Sequence, residues 1–194
     1  MVRRSHRWCE IVVLFLFIED QNGKTTFQIL ARRITNRTIK VIALKGSGEV
    51  LKAETVIAQI KVGNPGREDR VVAVVDKDCK RERFDKAREL ERKIKAQFPA
   101  ISFRCVVAVE ELESWLAGDL TAIQHVFGDT SISERLPNGE CIDAKIYLKR
   151  NYQRNHDRDY ISYIFNNRLA EQINIEKVSA SNGSFKEFRE ALIN

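Results

Sequence analysis

The sequence predicts an α/β fold, in which a central parallel sheet of about four strands is flanked by helices and followed by a mostly helical C-terminal extension. Two observations predict it. Strand-like apolar segments alternate with segments of helical periodicity as far as residue 127. The segment Val71–Val75 is also continuously apolar, as in parallel strands that are buried on both faces. This order predicts right-handed connections, a core over residues 1–127 and an extension over 128–194 packed on that core.

The first half of the core predicts two strands, each followed by a helix. Residues 11–18 form an apolar first strand, and a polar turn leads to a helix over 24–34. A second strand is expected over 39–44, followed by a helix over 49–62. Glycines and a proline in 63–66 end that helix, because neither residue type favours its continuation.

The second half of the core repeats the pattern. The third strand contains the five apolar residues Val71–Val75, is followed by Asp76 and Asp78, and precedes a highly charged helix over 81–98, whose charges we expect to face solvent. A fourth strand over 103–109 precedes one helix over 110–127, with Trp115 in its buried side. In the extension, Ser184 and Phe185 are expected to dock the last helix on the core.

The composition is that of an ordinary soluble protein with a basic excess. Hydrophobic residues make up 43% and charged residues 31% of 194 residues, and the net charge is +6. This charge is compatible with a polyanionic partner, and equally with a soluble protein that happens to be basic. The apolar run over 11–18 is shorter than the roughly 20 residues that span a bilayer, and no cleavage site follows it. We therefore expect a cytoplasmic protein without a membrane partner.

The cysteines favour neither zinc nor a disulfide framework. Cys9, Cys79, Cys105 and Cys141 are widely spaced and form no CxxC pair, so free thiols are expected. The three histidines are equally scattered, so a metal ion would have to be held by carboxylates.

Acidic side chains follow three of the four predicted strands. They are Glu19 after the first strand, Asp76 and Asp78 after the third, and Glu111 and Glu113 after the fourth. The carboxyl ends of parallel strands meet at one edge of the sheet, where ligands bind in open α/β folds. Clustered carboxylates repel each other unless a cation lies between them, and Mg²⁺ or Mn²⁺ suits their hard oxygens. Alternatively, the early glutamates of the fourth helix merely complement its dipole.

Four segments resemble a known module. FIEDQNGKTTF and VVAVVDKD resemble the glutamate and DxD motifs of the Toprim domain, the Rossmann-like metal-binding module of topoisomerases, primases and OLD-type nucleases. VVAVEELESWLAGD resembles the E-x-E-x-W-L-x-A-D signature of a family of stand-alone bacterial Toprim-like proteins, and SNGSFKEFREAL resembles that family's C-terminal segment. The sequence departs from the pattern in two places. Gly23 comes late, so Asp20 is an alternative to Glu19, and Gly118 stands before Asp119, which makes that residue a weaker match than Glu113.

The resemblance implies a Mg²⁺- or Mn²⁺-dependent nuclease that hydrolyses phosphodiesters of DNA or RNA, in phage or plasmid defence or in DNA repair. It implies catalytic roles for four acids and metal binding by five. The catalytic acids are Glu19, Asp76, Asp78 and Glu113. The metal ligands are Asp76, Asp78, Glu111, Glu113 and Glu19.

Two alternatives remain open. The chain is a non-catalytic metal- or nucleic-acid-binding module that acts with a separate ATPase, since it has no GxxxxGK[ST] loop of its own, or it is a phosphotransferase acting on small nucleotides or RNA. Basic residues near the site and among the tyrosines of the extension are candidates for binding nucleic acid, or are solvated charges on a helical cap. They are Lys77, Lys80, Lys145, Lys149 and Arg150.

Overall fold

The computed structural model describes residues 12–46, 48–137 and 141–194, and these residues form one four-stranded sheet with nine α-helices. All three strand pairs are parallel, so the predicted α/β class is confirmed. The strands are β1 (Val13–Ile18), β2 (Thr38–Ala43), β3 (Arg70–Asp76) and β4 (Ser102–Ala108). Ile11, the predicted start of β1, lies outside the described residues.

The strand order β2-β1-β3-β4 places a topological switch point between β1 and β3. The chain leaves β1 towards one edge of the sheet and returns to continue on the other side of β1. At such a point the connections diverge and open a crevice above the carboxyl ends of the two strands. Ile18 ends β1 and Asp76 ends β3, so residues at or just after the ends of both strands lie at this crevice.

Helices cover both faces of the sheet, because successive side chains of each strand point to opposite faces. Leu14 and Leu16 of β1 belong to one apolar core, and Phe15 and Phe17 belong to the other. The first core packs against α1 and α4 to α9, and the second against α2, α3 and a 3₁₀ turn at Glu49–Leu51. The helices are α1 (Lys24–Ile34), α2 (Ala53–Gly63), α3 (Glu82–Gln97), α4 (Leu112–Leu116), α5 (Leu120–Phe127), α6 (Ala144–Gln153), α7 (Ser162–Gln172), α8 (Ile175–Ser181) and α9 (Gly183–Ile193).

The prediction of one continuous helix over 110–127 is wrong. The chain forms α4 and α5 instead, and Asp119 between them caps α5 by accepting a hydrogen bond from the Thr121 N–H at 3.2 Å. The same carboxylate accepts from the Asn174 N–H at 2.9 Å and pairs with Lys177 at 2.5 Å. Asp119 is thus held by structural contacts with α5 and with the start of α8.

The C-terminal helices are fixed to the core through Trp115. Its indole is fully buried and stacks on Phe188, with ring centroids 4.9 Å apart. The indole N–H donates a hydrogen bond to the hydroxyl of Ser184 at 2.8 Å, and Phe185 meets the indole edge-on. The predicted core position of Trp115 and the docking roles of Ser184 and Phe185 are confirmed. Among the described residues, no helix combines the length and apolarity needed to cross a membrane.

Candidate metal site at the carboxyl edge of the sheet

A cleft of about 100 Å³ opens above the ends of β1 and β3. Three of the predicted acids line it, namely Glu19, Asp76 and Glu113. Lys145, one of the residues predicted to bind nucleic acid, lines it as well. Asp76 follows Val72 and Val74 on the same face of β3, so its side chain turns towards the helices of the first core. A water molecule needs about 10–15 Å³ of such space, so the cleft has room for a hydrated ion.

Asp76 is the electrostatic centre of the cleft. Its carboxylate accepts a hydrogen bond from the Leu112 N–H, the first residue of α4, at 3.1 Å. Burial raises the pKa of Asp76 well above its usual range, and the charges of four other acids raise it further. Those acids are Glu19, Glu113, Asp78 and Glu111. The acids that follow β1, β3 and β4 are therefore close enough to repel each other.

Glu19 is held at the end of β1 by hydrogen-bond donors from other parts of the chain. Its carboxylate accepts from the Gly48 N–H at 3.0 Å and from Arg83 at 3.1 Å. Burial raises the pKa of Glu19, while the Gly48 N–H and the Arg83 charge act in the opposite direction. The alternative residue, Asp20, also lines the cleft, but its carboxylate accepts from the Gly23 N–H at 2.9 Å and so closes the turn before α1.

Glu111 and Glu113 lie on either side of the start of α4. Glu113 is buried, and its carboxylate accepts a hydrogen bond from the Asn166 side-chain amide at 2.9 Å. Glu111 accepts from the Lys145 N–H in the first turn of α6 at 2.8 Å. Burial, followed by the charge of Glu113, raises the pKa of Glu111 to about 7. This carboxyl group therefore titrates near neutral pH.

Arg83 is a site residue that the sequence analysis missed. Its side chain is buried, in contrast to the predicted solvent-facing charges of this helix. The guanidinium contacts Glu19 at 3.1 Å and Asp78 at 2.9 Å, and also donates to the backbone carbonyl of Asp76. A cation between two of the carboxylates is thus supplied by the protein itself. The signal was its spacing, since Arg83 lies one turn before Ala87 on the buried stripe of α3.

Asn166 is a second missed residue, contributed by α7 of the C-terminal extension. It is buried in the cleft lining, and among the described residues its side-chain oxygen has no hydrogen-bond partner. A buried, unpaired carbonyl oxygen is costly unless something binds it. Nothing in the local sequence marks this asparagine, because only tertiary packing brings α7 to the strand ends.

The donor set of the cleft fits a hard divalent cation. Carboxylates and an amide oxygen are the ligands that Mg²⁺ and Mn²⁺ take in proteins. Among the described residues, however, no three of the cleft carboxylates place their oxygens within 4.8 Å of one another. Within the described parts of the chain, the three potential ligand residues whose ligand atoms all lie within 4.8 Å of one another are Cys79, Glu110 and Cys141. Carboxylates of the cleft would have to approach each other to share one ion.

The predicted nucleic-acid-binding residues differ in accessibility. Lys77 is buried and pairs with Glu110 at 2.5 Å, so its ammonium does not face solvent. The Lys80 side chain is 53% exposed and lies 4.0 Å from Asp78. The remaining three residues are exposed on α6, and Lys145 reaches the cleft. They are Lys145, Lys149 and Arg150.

Comparison with known proteins places most of the chain in one family. A family profile described as a domain of unknown function, DUF4276, matches residues 18–193. Comparison with curated proteins finds no match. Among solved structures, the C-terminal region of the Burkholderia pseudomallei OLD protein is similar, with 16% identity and a TM-score of 0.47 over 92% of this chain and 98% of that one. Since the profile covers well over half of its length, the chain belongs to the DUF4276 family.

Proposed function

We propose that this protein is a Toprim-like nuclease that uses Mg²⁺ or Mn²⁺ to hydrolyse phosphodiester bonds of DNA or RNA, in defence against phage or plasmid DNA or in DNA repair. One observation carries the proposal. Acids from the ends of three strands converge on Asp76, whose pKa they raise, in a cleft that Lys145 of α6 also lines. Such a cluster of negative charge at a switch point is suited to a cation, and the cation in turn could bind a phosphate.

Asp76 and Glu113 are the proposed ligands from the sheet side of the cleft. The unpaired oxygen of Asn166 would complete the set from α7, and Glu19 and Asp78, which now pair with Arg83, would be further ligands. A divalent ion held there would polarise the phosphate and make water a stronger nucleophile. Arg83 remains beside the acids and limits the net negative charge that an incoming phosphate meets.

Glu111 is the proposed proton acceptor, because it precedes Leu112, whose N–H binds Asp76, and its carboxylate accepts the N–H of Lys145, which lines the cleft. Its pKa of about 7 leaves a substantial fraction ionised at neutral pH while keeping it basic enough to take a proton from water. The water oxygen forms a bond to phosphorus, the bond from phosphorus to the leaving oxygen breaks, and the leaving oxygen takes a proton from solvent. Lys145 is positioned to neutralise a phosphate oxygen, because it lines the same cleft.

A cleavage assay tests the proposal. Purified protein is incubated with Mg²⁺ or Mn²⁺ and single- and double-stranded DNA and RNA, and we expect cleavage of at least one substrate. Asp76→Asn retains an oxygen to accept from the Leu112 N–H, so it should fold but not cut. The matched control Asp85→Asn, on a side chain that is 80% exposed, should cut like the wild type. No cleavage by the wild type, or equal cleavage by Asp76→Asn, would reject the nuclease.

The exposed basic side chains of α6 are the proposed contact with the nucleic-acid backbone. Changing all three to glutamine should weaken binding and reduce the slope of log affinity against log salt by about 2–3, because each phosphate contact contributes about 0.7–0.9. The changes are Lys145→Gln, Lys149→Gln and Arg150→Gln. The matched control changes exposed lysines of α3, Lys86→Gln, Lys93→Gln and Lys95→Gln, and should leave the slope unchanged. Equal slopes for the two triple variants would exclude the α6 surface.

The second candidate is a non-catalytic Toprim-like module that acts with a separate ATPase. It is favoured by Arg83, which already provides a buried cation between Glu19 and Asp78 without any metal. Calorimetric titration with Mn²⁺ discriminates between the two functions. Binding that Asp76→Asn abolishes, in a protein that also cuts nucleic acid, favours the nuclease, whereas no binding below millimolar Mn²⁺, or binding without cleavage, favours the module.

A further inference from the structure

Cys79 and Cys141 are far apart in the sequence but adjacent in the structure. Their sulfur atoms and a carboxylate oxygen of Glu110 all lie within 4.8 Å of one another. The neighbouring Cys141 side chain is the largest cause of a rise in the pKa of Cys79 to about 12, so this thiol keeps its proton until its partner has reacted. Both residues are exposed and neither is in a disulfide, so a small reagent can reach both thiols.

Glu110 holds the two cysteine backbones side by side. Its carboxylate accepts the Cys79 N–H at 2.9 Å and the Cys141 N–H at 3.2 Å. Lys77 neutralises the same carboxylate at 2.5 Å, and the whole arrangement lies beside the cleft rather than within it. Both cysteines have a positive φ, 58° for Cys79 and 59° for Cys141, which non-glycine residues adopt only when their surroundings impose it. The pair is therefore pre-positioned by one buried side chain.

A metal site explains this cluster less well than a bond between the two sulfurs. Both oxygens of Glu110 already accept hydrogen bonds, and the ammonium of Lys77 would repel a metal cation from them. Two sulfurs alone do not complete the four-ligand set of a zinc site. We propose that Cys79 and Cys141 form a reversible disulfide on reaction with a low-molecular-weight disulfide such as oxidised glutathione.

The reaction is thiol–disulfide exchange in two steps. The thiolate of one cysteine attacks oxidised glutathione, forming a mixed disulfide and releasing one glutathione thiolate. The second cysteine then attacks the protein sulfur of that mixed disulfide and releases the second glutathione. The two cysteines lose two electrons, glutathione gains them, and the two thiol protons end on the two glutathione molecules released.

The disulfide would join two segments that border the proposed metal site. Cys79 directly follows Asp78 in the loop after β3, and Cys141 precedes Asp143, which caps α6. Oxidation would thus fix the Asp78 loop to the start of the helix that carries Lys145. This inference does not depend on the nuclease activity, since the bond is detected in the protein itself.

The test uses the folded 194-residue chain with Cys9→Ser and Cys105→Ser, so that only the proposed pair remains. After exposure to oxidised glutathione, peptide mass mapping should find one intramolecular bond joining Cys79 to Cys141. The midpoint of thermal unfolding should rise by about 5–10 °C, because the bond closes a long loop, and dithiothreitol should reverse the rise.

Mapping the wild type in parallel shows whether the serine background alters the result, and adding Cys141→Ser to the background should abolish the rise. Two thiols that stay reduced while the protein is folded would overturn the proposal. A glutathione adduct that persists on Cys79 while Cys141 remains a free thiol, or bonds formed only between molecules, would equally overturn it.

Discussion

Replacing Glu111 by glutamine should stabilise the metal-free protein above neutral pH. The pKa of Glu111 is raised from its ordinary value of 4.5 to about 7, first by burial and then by the charge of Glu113. The unfolded chain therefore ionises this carboxyl group before the folded chain does. The stability associated with its neutral form is present below about pH 4.5 and is lost as the pH rises through about 7. Glutamine stays neutral and still offers an oxygen to the Lys145 N–H.

The size of the effect follows from the displacement of the pKa. A rise from 4.5 to about 7 corresponds to about 3 kcal/mol in the free energy of unfolding. Glu111 is only half-buried, so solvent screening reduces this to about 1–2 kcal/mol. For a protein of this size, such a gain raises the melting temperature by about 3–6 °C. The gain applies at about pH 8 and disappears near pH 4, where the wild-type carboxyl group is also neutral.

The assay is thermal unfolding followed by circular dichroism in a chelating buffer, across the acidic to mildly basic range. Glu68→Gln, on an exposed side chain in the loop before β3, serves as the matched control and should track the wild type. The reasoning is refuted if Glu111→Gln and the wild type melt together at every pH, or if the variant is the less stable protein at about pH 8.

Three further substitutions test contacts in the fold that carries the site, each read as the free energy of unfolding in urea. Ser184→Ala should cost about 1–3 kcal/mol, because the buried Trp115 N–H loses its acceptor, and a cost near zero would contradict that bond. Arg83→Met should cost about 1–3 kcal/mol by leaving the largely buried carboxylate of Glu19 without its cation, and an unchanged stability would show that the pair contributes nothing. Gly63→Ala should cost about 1 kcal/mol, because its Cβ would lie 2.8 Å from the ring of Phe15, and a gain in stability would show that the ring moves aside.

The sheet was predictable because its signals are local. Continuously apolar segments marked the strands, and the helix over 24–34 matches α1 at both ends. The division between α4 and α5 was not predictable, because Asp119 is fixed by Lys177 and the Asn174 N–H from a distant part of the chain. Helical periodicity continues across such a break, so the pattern alone does not show it.

The acids of the site were predictable for a different reason. Strand ends in a parallel sheet share one edge, so a residue such as Glu19 or Asp76 can be placed from its position after a strand. The position of Arg83, the cation that pairs with these acids, was not predictable from the sequence. Arg83 lies in a helix whose other charges are solvated, and its burial depends on partners that follow β1 and β3. The same limit applies to Asn166 and to the cysteine pair, which meet their neighbours only through tertiary packing.

The proposal rests on an ion-binding cleft at the ends of β1 and β3, and crystals soaked in Mn²⁺ test this most directly. Anomalous scattering locates the ion without reference to activity. We predict a manganese peak between Asp76 and Glu113 that Asp76→Asn removes. A peak confined to other residues, or no peak in soaked wild-type crystals, would contradict the metal site and the nuclease built on it.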